Sequence, residues 1–274
     1  MGMANPLSSL SKDIIETTEE EGAAMVLSEI TKAADCDVIP TGVQRIDEAF
    51  GVGGIPRGRI TEIWGDEAVG KTTLCLHLLN QCTKLGMSAG FVDSEHALSL
   101  KRMEQIGVDK EKIILSQPSY GEQALEIMEM MIRSKKVGLV ICDSVAALTP
   151  KSEIDKDMGD APMGGHARLM SQAMRKLVAI TAKENVALVF TNQTRDKLGT
   201  FFPTKTTTGG NALKFYASMR IKLIRSGSIQ AKDGTRLEGK YKLTVIKNKL
   251  AVPYTEVEYR IGPSGLFVKD KKEA

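Results

Sequence analysis

The stretch Gly65-Asp66-Glu67-Ala68-Val69-Gly70-Lys71-Thr72 constrains this chain more than any other, because it fits the spacing GxxxxGK[ST] and lies between two patterned segments. An apolar run, Ile60 to Trp64, precedes it, and apolar residues at helical spacing follow from Thr72 to Leu85. A glycine-bounded loop at the start of a helix turns backbone N–H groups and the positive end of the helix dipole toward an anion. Lys71 then reaches the outer phosphate oxygens of a nucleotide, and the Thr72 hydroxyl supplies a magnesium ligand. Gly65 to Thr72, with Thr73 opening the helix, are therefore expected to hold ATP together with Mg2+.

Such a loop requires a strand before it and a helix after it, and the same alternation recurs downstream. Runs of strand length stand at Arg59–Trp64, Ser88–Val92, Val137–Cys142 and Val186–Thr191. Between them Thr72–Leu85, Glu122–Ser134 and Arg168–Lys183 carry helix-period apolar residues without interior Gly or Pro. This pattern predicts an α/β fold whose central, mostly parallel sheet is flanked by helices on both faces. After Gly210 the character changes to alternating strands at Ser218–Ile224, Lys240–Lys247 and Thr255–Ile261, expected to form an antiparallel C-terminal extension. Two segments, Ile154–Gly165 and Thr194–Gly210, are rich in Gly, Thr and Pro and too long for ordinary connections, which marks them as functional loops.

Composition narrows the class. With 274 residues, 42% of them hydrophobic, the chain can bury a sizeable core. No stretch approaches the about 18 apolar residues of a membrane span, and the polar start lacks the apolar segment of a signal peptide, so a cytoplasmic protein without membrane contact is expected. Cys36, Cys75, Cys82 and Cys142 show no CxxC pairing, and reduced core thiols are expected rather than a disulfide or a zinc site. Net charge is only +3, but Met1–Ile30 holds six acidic residues against one Lys, while Arg195–Lys249 holds thirteen basic residues against three acidic ones. The basic stretch is either a solvated face or the footprint of a polyanion.

Further residues complete the expected nucleotide site. Asp143 ends the apolar strand Val137–Cys142, where a carboxylate can hold magnesium, and Ser144 follows it. Asp93 and Glu95 end another strand; Glu95, just past the strand end, is the better placed to orient water. Asn192-Gln193 end a fourth strand and lead directly into the long loop, the arrangement a nucleotide switch requires.

Whole phrases then resemble the RecA family of DNA strand-exchange recombinases. They are Gly65–Thr73, Asp93–Leu98, Ser116-Gln117-Pro118 with Gly121–Ile127, Asp143–Lys151, Met170–Leu177, Thr206–Ser218 and Lys247-Asn248-Lys249. The resemblance spans about Pro40 to Ile261. It implies that Glu95 is the catalytic carboxylate and Gln193 the γ-phosphate sensor. Ile154–Gly165 and Thr194–Gly210 become DNA-binding loops, with Arg168, Ser171, Arg175, Gly209, Gly210 and Asn211 on the phosphate backbone. Met163 and Leu198 stand where apolar side chains wedge between bases, and Arg195 and Lys197 add charge beside them. Lys247 and Lys249 are implied to complete a neighbouring subunit's site across an interface that includes Phe215.

By this resemblance the partners are single-stranded DNA, a homologous duplex and further copies of the chain in a helical filament. Residues 1–39 are expected to serve subunit assembly, 40–268 to form the ATPase core, and 269–274 to be a short charged tail, with the family's C-terminal domain absent. Departures accompany the match. Ser99 and Arg102 replace the usual Asp and adenine-stacking Tyr, so the base is expected either on an Arg plane or held less specifically, and Asp196 stands where a neutral residue is usual. Two competing readings are a ring-forming DNA motor of the same fold and a DNA-binding scaffold without turnover. The two loop phrases and Lys247-Asn248-Lys249 weigh against the first, and intact Lys71, Thr72, Glu95, Asp143 and Gln193 against the second.

Overall fold

The computed structural model describes residues 6–19, 23–26, 36–155, 164–196, 205–230, 236–262 and 264–268. The chain divides into two compact units, Met1–Asp37 and Val38–Ala274. In the first, α1 (Pro6–Thr18) presents Leu7, Leu10 and Ile14 at helical spacing, all exposed. Ser11 Oγ of that helix donates to the carbonyl of Ala24 at 2.8 Å.

The second unit begins with β1 (Val38–Ile39), α2 (Gln44–Ala49) and β2 (Ile55–Pro56), the two strands pairing antiparallel. Then follow β3 (Ile60–Gly65), α3 (Lys71–Lys84), β4 (Ser88–Asp93), α4 (Leu100–Ile106), β5 (Ile113–Ser116), α5 (Gly121–Arg133) and β6 (Val137–Asp143). A short α6 (Lys151–Ile154) precedes the long α7 (Gly165–Lys183) and β7 (Ala187–Asp196). The chain continues through β8 (Lys205–Thr207), α8 (Ala212–Tyr216), β9 (Met219–Gln230), β10 (Arg236–Asn248), β11 (Glu256–Gly262) and β12 (Gly265–Phe267). The main sheet runs β12-β11-β10-β9-β3-β7-β6-β4-β5, with β8 added to the end of β7. Its members from β9 to β5 are mutually parallel, and β9 to β12 are antiparallel. The predicted α/β class, with a mostly parallel sheet and an antiparallel extension, is what the structure shows.

Alternation along the central strands builds two cores. In β6, Leu139 and Ile141 pack into one cluster with α3, while Val140 and Cys142 face the other with α5 and α7. In β7, Ala187 and Val189 join the first and Leu188 and Phe190 the second. With both faces covered, these strands read as continuous apolar runs, which is why the sequence pattern marks them so plainly. Each large side chain buried this way, such as Phe91 or Phe190, contributes about 1.5–3 kcal/mol.

The structure differs from the sequence pattern in extent. Thr194–Gly210 is not irregular throughout: Thr194, Arg195 and Asp196 pair with Thr207, Thr206 and Lys205, so the segment opens and closes as an antiparallel ribbon. The β-branched Thr206 and Thr207 suit such a ribbon. The two strands expected at Ser218–Ile224 and Lys240–Lys247 are longer, continuing as a ribbon to Gln230 and from Arg236 with register shifts that accommodate the twist. The antiparallel character also begins one strand later than expected, because β9 first joins β3 in parallel.

Candidate functional site

The C-terminal ends of β3, β4, β6 and β7 converge on one cavity of about 540 Å³, lined by Lys71, Thr72, Thr73, Glu95, Asp143 and Gln193 among others. Such an edge is where open α/β sheets gather ligands. β3 ends at Gly65, and the loop returns to α3 through Gly70, whose φ of 94° places it in the left-handed region. A Cβ on Gly65 would lie 2.2 Å from the carbonyl oxygen of Leu223, and one on Gly70 would lie 2.8 Å from Ile261 Cδ1. Gly65 is therefore demanded by the close passage of the β9 backbone, and Gly70 by its left-handed conformation. Tyr259 Oη, which donates to the carbonyl of Val69 at 2.5 Å, ties the same strands to it. Asp66 accepts from Thr194 Oγ1, linking the loop to the root of the long ribbon.

The side chains form a connected polar set. Lys71 Nζ donates to the carbonyls of Gly65 (3.1 Å) and Asp66 (2.7 Å). Burial lowers its pKa, and the charges of Asp143, Glu95, Asp66 and Glu67 oppose that shift. Thr72 Oγ1 donates to Asp143 Oδ2 at 2.7 Å, and Thr191 Oγ1 donates to the other carboxylate oxygen at 2.5 Å. Burial raises the pKa of Asp143 against these two hydrogen bonds. Glu95 Oε1 accepts from Ser144 Oγ at 2.5 Å and from Gln193 Nε2 at 3.1 Å. Asp93, the alternative to Glu95, is 2% exposed and accepts from the backbone N–H groups of Ala97 and Leu98 and from Gln117 Nε2, so it shapes the turn rather than facing the cavity.

No group of three or more His, Cys, Asp or Glu residues able to hold a metal ion is present among the described residues. A hydroxyl and a carboxylate in contact at the mouth of a phosphate loop fit magnesium, which takes one or two protein ligands and the rest from phosphate and water. Arg102, the residue expected to hold the base, lies on α4. Its guanidinium donates to the carbonyl of Gly262 at 2.7 Å and to Gln105 Oε1 at 3.4 Å, and Ser99 caps α4 by accepting from the Arg102 N–H. Tyr241 and Ile261, more than 150 residues beyond the loop, also line the cavity; no local sequence signal marks them.

The residues implied to contact DNA fall on a second face. Arg168, Ser171 and Arg175 lie at i, i+3 and i+7 of α7, both arginines exposed, and Arg175 Nη1 donates to Ser171 Oγ at 3.2 Å. Gly209 and Gly210, with φ of 80° and 73°, press against the start of that helix. A Cβ on Gly209 would meet Met170 and Val145 at 3.1 Å, and one on Gly210 would meet Ala167 at 2.9 Å. Asn211 begins α8. Arg195, exposed on β7, lines a cavity of about 400 Å³ with Gly209 and Gly210. Met163, Lys197 and Leu198 lie outside the described residues.

One connection joins the two faces. Asn192 Oδ1 accepts from the N–H of Gln193 (2.9 Å) and from Thr208 Oγ1 (2.5 Å), and its Nδ2 donates to Glu62 Oε1 and to the carbonyl of Thr208. Glu62, fully buried, is paired with Arg220 at 2.5 Å, and Arg220 lies over the Trp64 ring. Farther along, Lys247 Nζ donates to the carbonyls of Lys214 and Phe215 at the end of α8, and Phe215 itself is 73% exposed. Burial, Lys249 and Arg220 all lower the Lys247 pKa. Lys249 is exposed. Asn248 between them makes the turn, accepting from the N–H groups of Leu250 and Ala251. No helix among the described residues is long and apolar enough to cross a membrane.

Comparison with known proteins agrees with this geometry. The family model described as the RecA N-terminal domain matches residues 8–264. Proteins RecA of Francisella tularensis subsp. novicida (strain U112) and subsp. tularensis (strain WY96-3418) are each 51% identical over 249 residues, covering 90% of this chain and 69% of theirs. On a family match that spans nearly the whole chain and half-identical relatives covered to more than two thirds, the chain belongs to the RecA family.

Proposed function

We propose that the chain is a homologous-recombination protein that coats single-stranded DNA as a helical filament, captures a homologous duplex and exchanges strands, hydrolysing ATP when bound to DNA. The observation that carries this reading is the continuity of β7. Gln193 touches Glu95 in the nucleotide cavity, while its neighbour Asn192 holds Thr208 at the base of the DNA ribbon. A nucleotide that draws the Gln193 amide to its γ-phosphate moves the strand end on which that ribbon is built, which is a two-state coupling.

In this reading the N–H groups of residues 66–71 and the Lys71 ammonium hold the phosphates. Thr72 and Asp143 are the residues that would hold the divalent cation, whose chemistry is to neutralise charge between the outer phosphate groups. Glu95, once Gln193 has turned away, is free to orient the attacking water. Arg168, Arg175 and Arg195 track phosphates without reading bases, which leaves pairing edges open for homology recognition. The exposed Leu7, Leu10 and Ile14 of α1 and the exposed Phe215 suit contact with further copies of the chain.

Electron microscopy of the protein with ATP and single-stranded DNA tests assembly, and a strand-exchange assay on the same preparation tests function. Open helical filaments and joint-molecule products are expected. Closed rings, or filaments inert toward a homologous duplex, would refute the proposal.

A further inference from the structure

His166 stands in the first turn of α7, beside Gly209 and Gly210, and its imidazole is only half satisfied. It hydrogen-bonds the backbone of Val145, whereas its Nε2 is buried and has no partner among the described residues. With Nε2 unpartnered we assign the Val145 contact to Nδ1, which then carries the proton toward the carbonyl. Nε2 is then a bare acceptor in the neutral ring. A Cβ built on Gly209 would lie 3.8 Å from His166 Cε1, so the ring edge abuts the glycine pair. The ring lines the cavity of about 400 Å³ that also takes in Arg195, Glu153, Gly209 and Gly210.

A buried, unpartnered imidazole nitrogen costs free energy unless a ligand uses it. We propose that His166 is a further ligand for a phosphodiester group of DNA, donating from Nε2 as an imidazolium while Nδ1 stays on the Val145 carbonyl. The inference rests on the reading of this face as a DNA site and adds a residue that the arginines and glycines alone do not supply. The surroundings favour this occupant. Arg195 brings a fixed positive charge, and the start of a 19-residue helix contributes the positive end of its dipole. Glu153, from α6, faces the ring with the opposite charge. In the free protein burial, helped by the charge of Arg195 and opposed by the Val145 bond and Glu153, leaves the imidazole with a pKa below its usual 6.5. A phosphate in the cavity reverses that balance, since it offers Nε2–H an acceptor and the ring a counter-charge.

Binding therefore takes up a proton at His166 and is favoured as pH falls between the bound and free pKa values. The expected dependence is at most about tenfold in affinity per pH unit, the limit for one proton. The experiment is calorimetric titration of the full chain, with a non-hydrolysable ATP analogue, against oligothymidylate in two buffers of different ionisation enthalpy at about pH 6 and pH 8. The wild type should take up a fraction of a proton per subunit. His166→Gln should take up none from this site and bind roughly tenfold more weakly near pH 6, with a much smaller loss near pH 8. His166→Lys should keep tight binding at both and show no proton uptake there. Melting temperatures on the same preparations check that the variants are folded. Equal proton uptake and equal affinity in wild type and His166→Gln would overturn the proposal while leaving the DNA face intact. Failure of the wild type to bind oligothymidylate at either pH would overturn both.

Discussion

Lys71 and Glu95 line the same cavity yet carry different tasks, and their substitutions should separate accordingly. Lys71 is the one ammonium that the loop aims at the phosphates, so Lys71→Ala should weaken nucleotide binding by about a hundredfold or more and abolish turnover. Glu95→Gln keeps a side chain able to bond Ser144 and Gln193 but loses the base, so nucleotide binding should stay within a few-fold while kcat falls by about 10²–10⁴. Equilibrium nucleotide binding and steady-state hydrolysis on both variants read this directly, and wild-type turnover by Glu95→Gln would remove its catalytic assignment. Lys71 and Thr72 were legible because their chemistry is local: neighbours in sequence are neighbours in the loop. Asn192 was legible only as a strand-end amide. That it turns inward to Glu62 and Thr208, leaving Gln193 to face the cavity, follows from the alternation of β7 and the pairing of β3 with it, which no short window contains.

At the level of elements, the hairpin of β11 and β12 closes over the nucleotide loop and is held by a histidine. His77, on α3, lies with Nδ1 3.1 Å from the carbonyl of Thr41, while Nε2 accepts the Leu266 N–H at 2.8 Å. This pair of contacts requires the neutral ring, and burial chiefly, with the charges of Arg102 and Lys84, lowers its pKa from 6.5. The unfolded chain therefore binds the proton more readily than the folded one. The stability this arrangement contributes is present above about pH 6.5 and is lost as pH falls from there toward the folded pKa. Urea titrations should show that acid-sensitive component in the wild type and not in His77→Leu, which should be less stable at neutral pH by about 1–3 kcal/mol because the Leu266 N–H loses its acceptor. An unchanged pH profile in His77→Leu would show that other groups carry the dependence. The helical spacing of α3 placed residue 77 inside the fold; its partner 189 residues away was beyond any periodicity.

For the whole molecule, the question is whether one copy holds a complete site. Lys247 caps α8 by donating to the carbonyls of Lys214 and Phe215, and Lys249 is exposed. Neither lines the cavity of its own subunit. If they act on a neighbour's nucleotide, turnover per subunit must rise with protein concentration and with DNA long enough to hold several copies. Lys249→Ala should then lower DNA-dependent kcat, by up to about 10³–10⁵ if it acts as an arginine finger does, while nucleotide binding stays unchanged. Mixing Lys249→Ala with Glu95→Gln should restore part of the activity, because some interfaces pair an intact Glu95 with intact lysines. Co-assembled mixtures without any rescue would show that each copy works with its own residues.

The sequence by itself determined the phosphate loop, the strand-helix alternation and the strand-end carboxylates, because each is written in residues near one another and follows from backbone periodicity or a short-range spacing. Tertiary structure alone decided which strand-end side chains face the cavity, that Arg102 reaches the Gly262 carbonyl, that Tyr241 and Ile261 line the cavity, and that His166 keeps a bare nitrogen beside Gly209. Those outcomes depend on strand order and on contacts between segments far apart in the chain, where packing and hydrogen-bond satisfaction are settled by the fold as a whole.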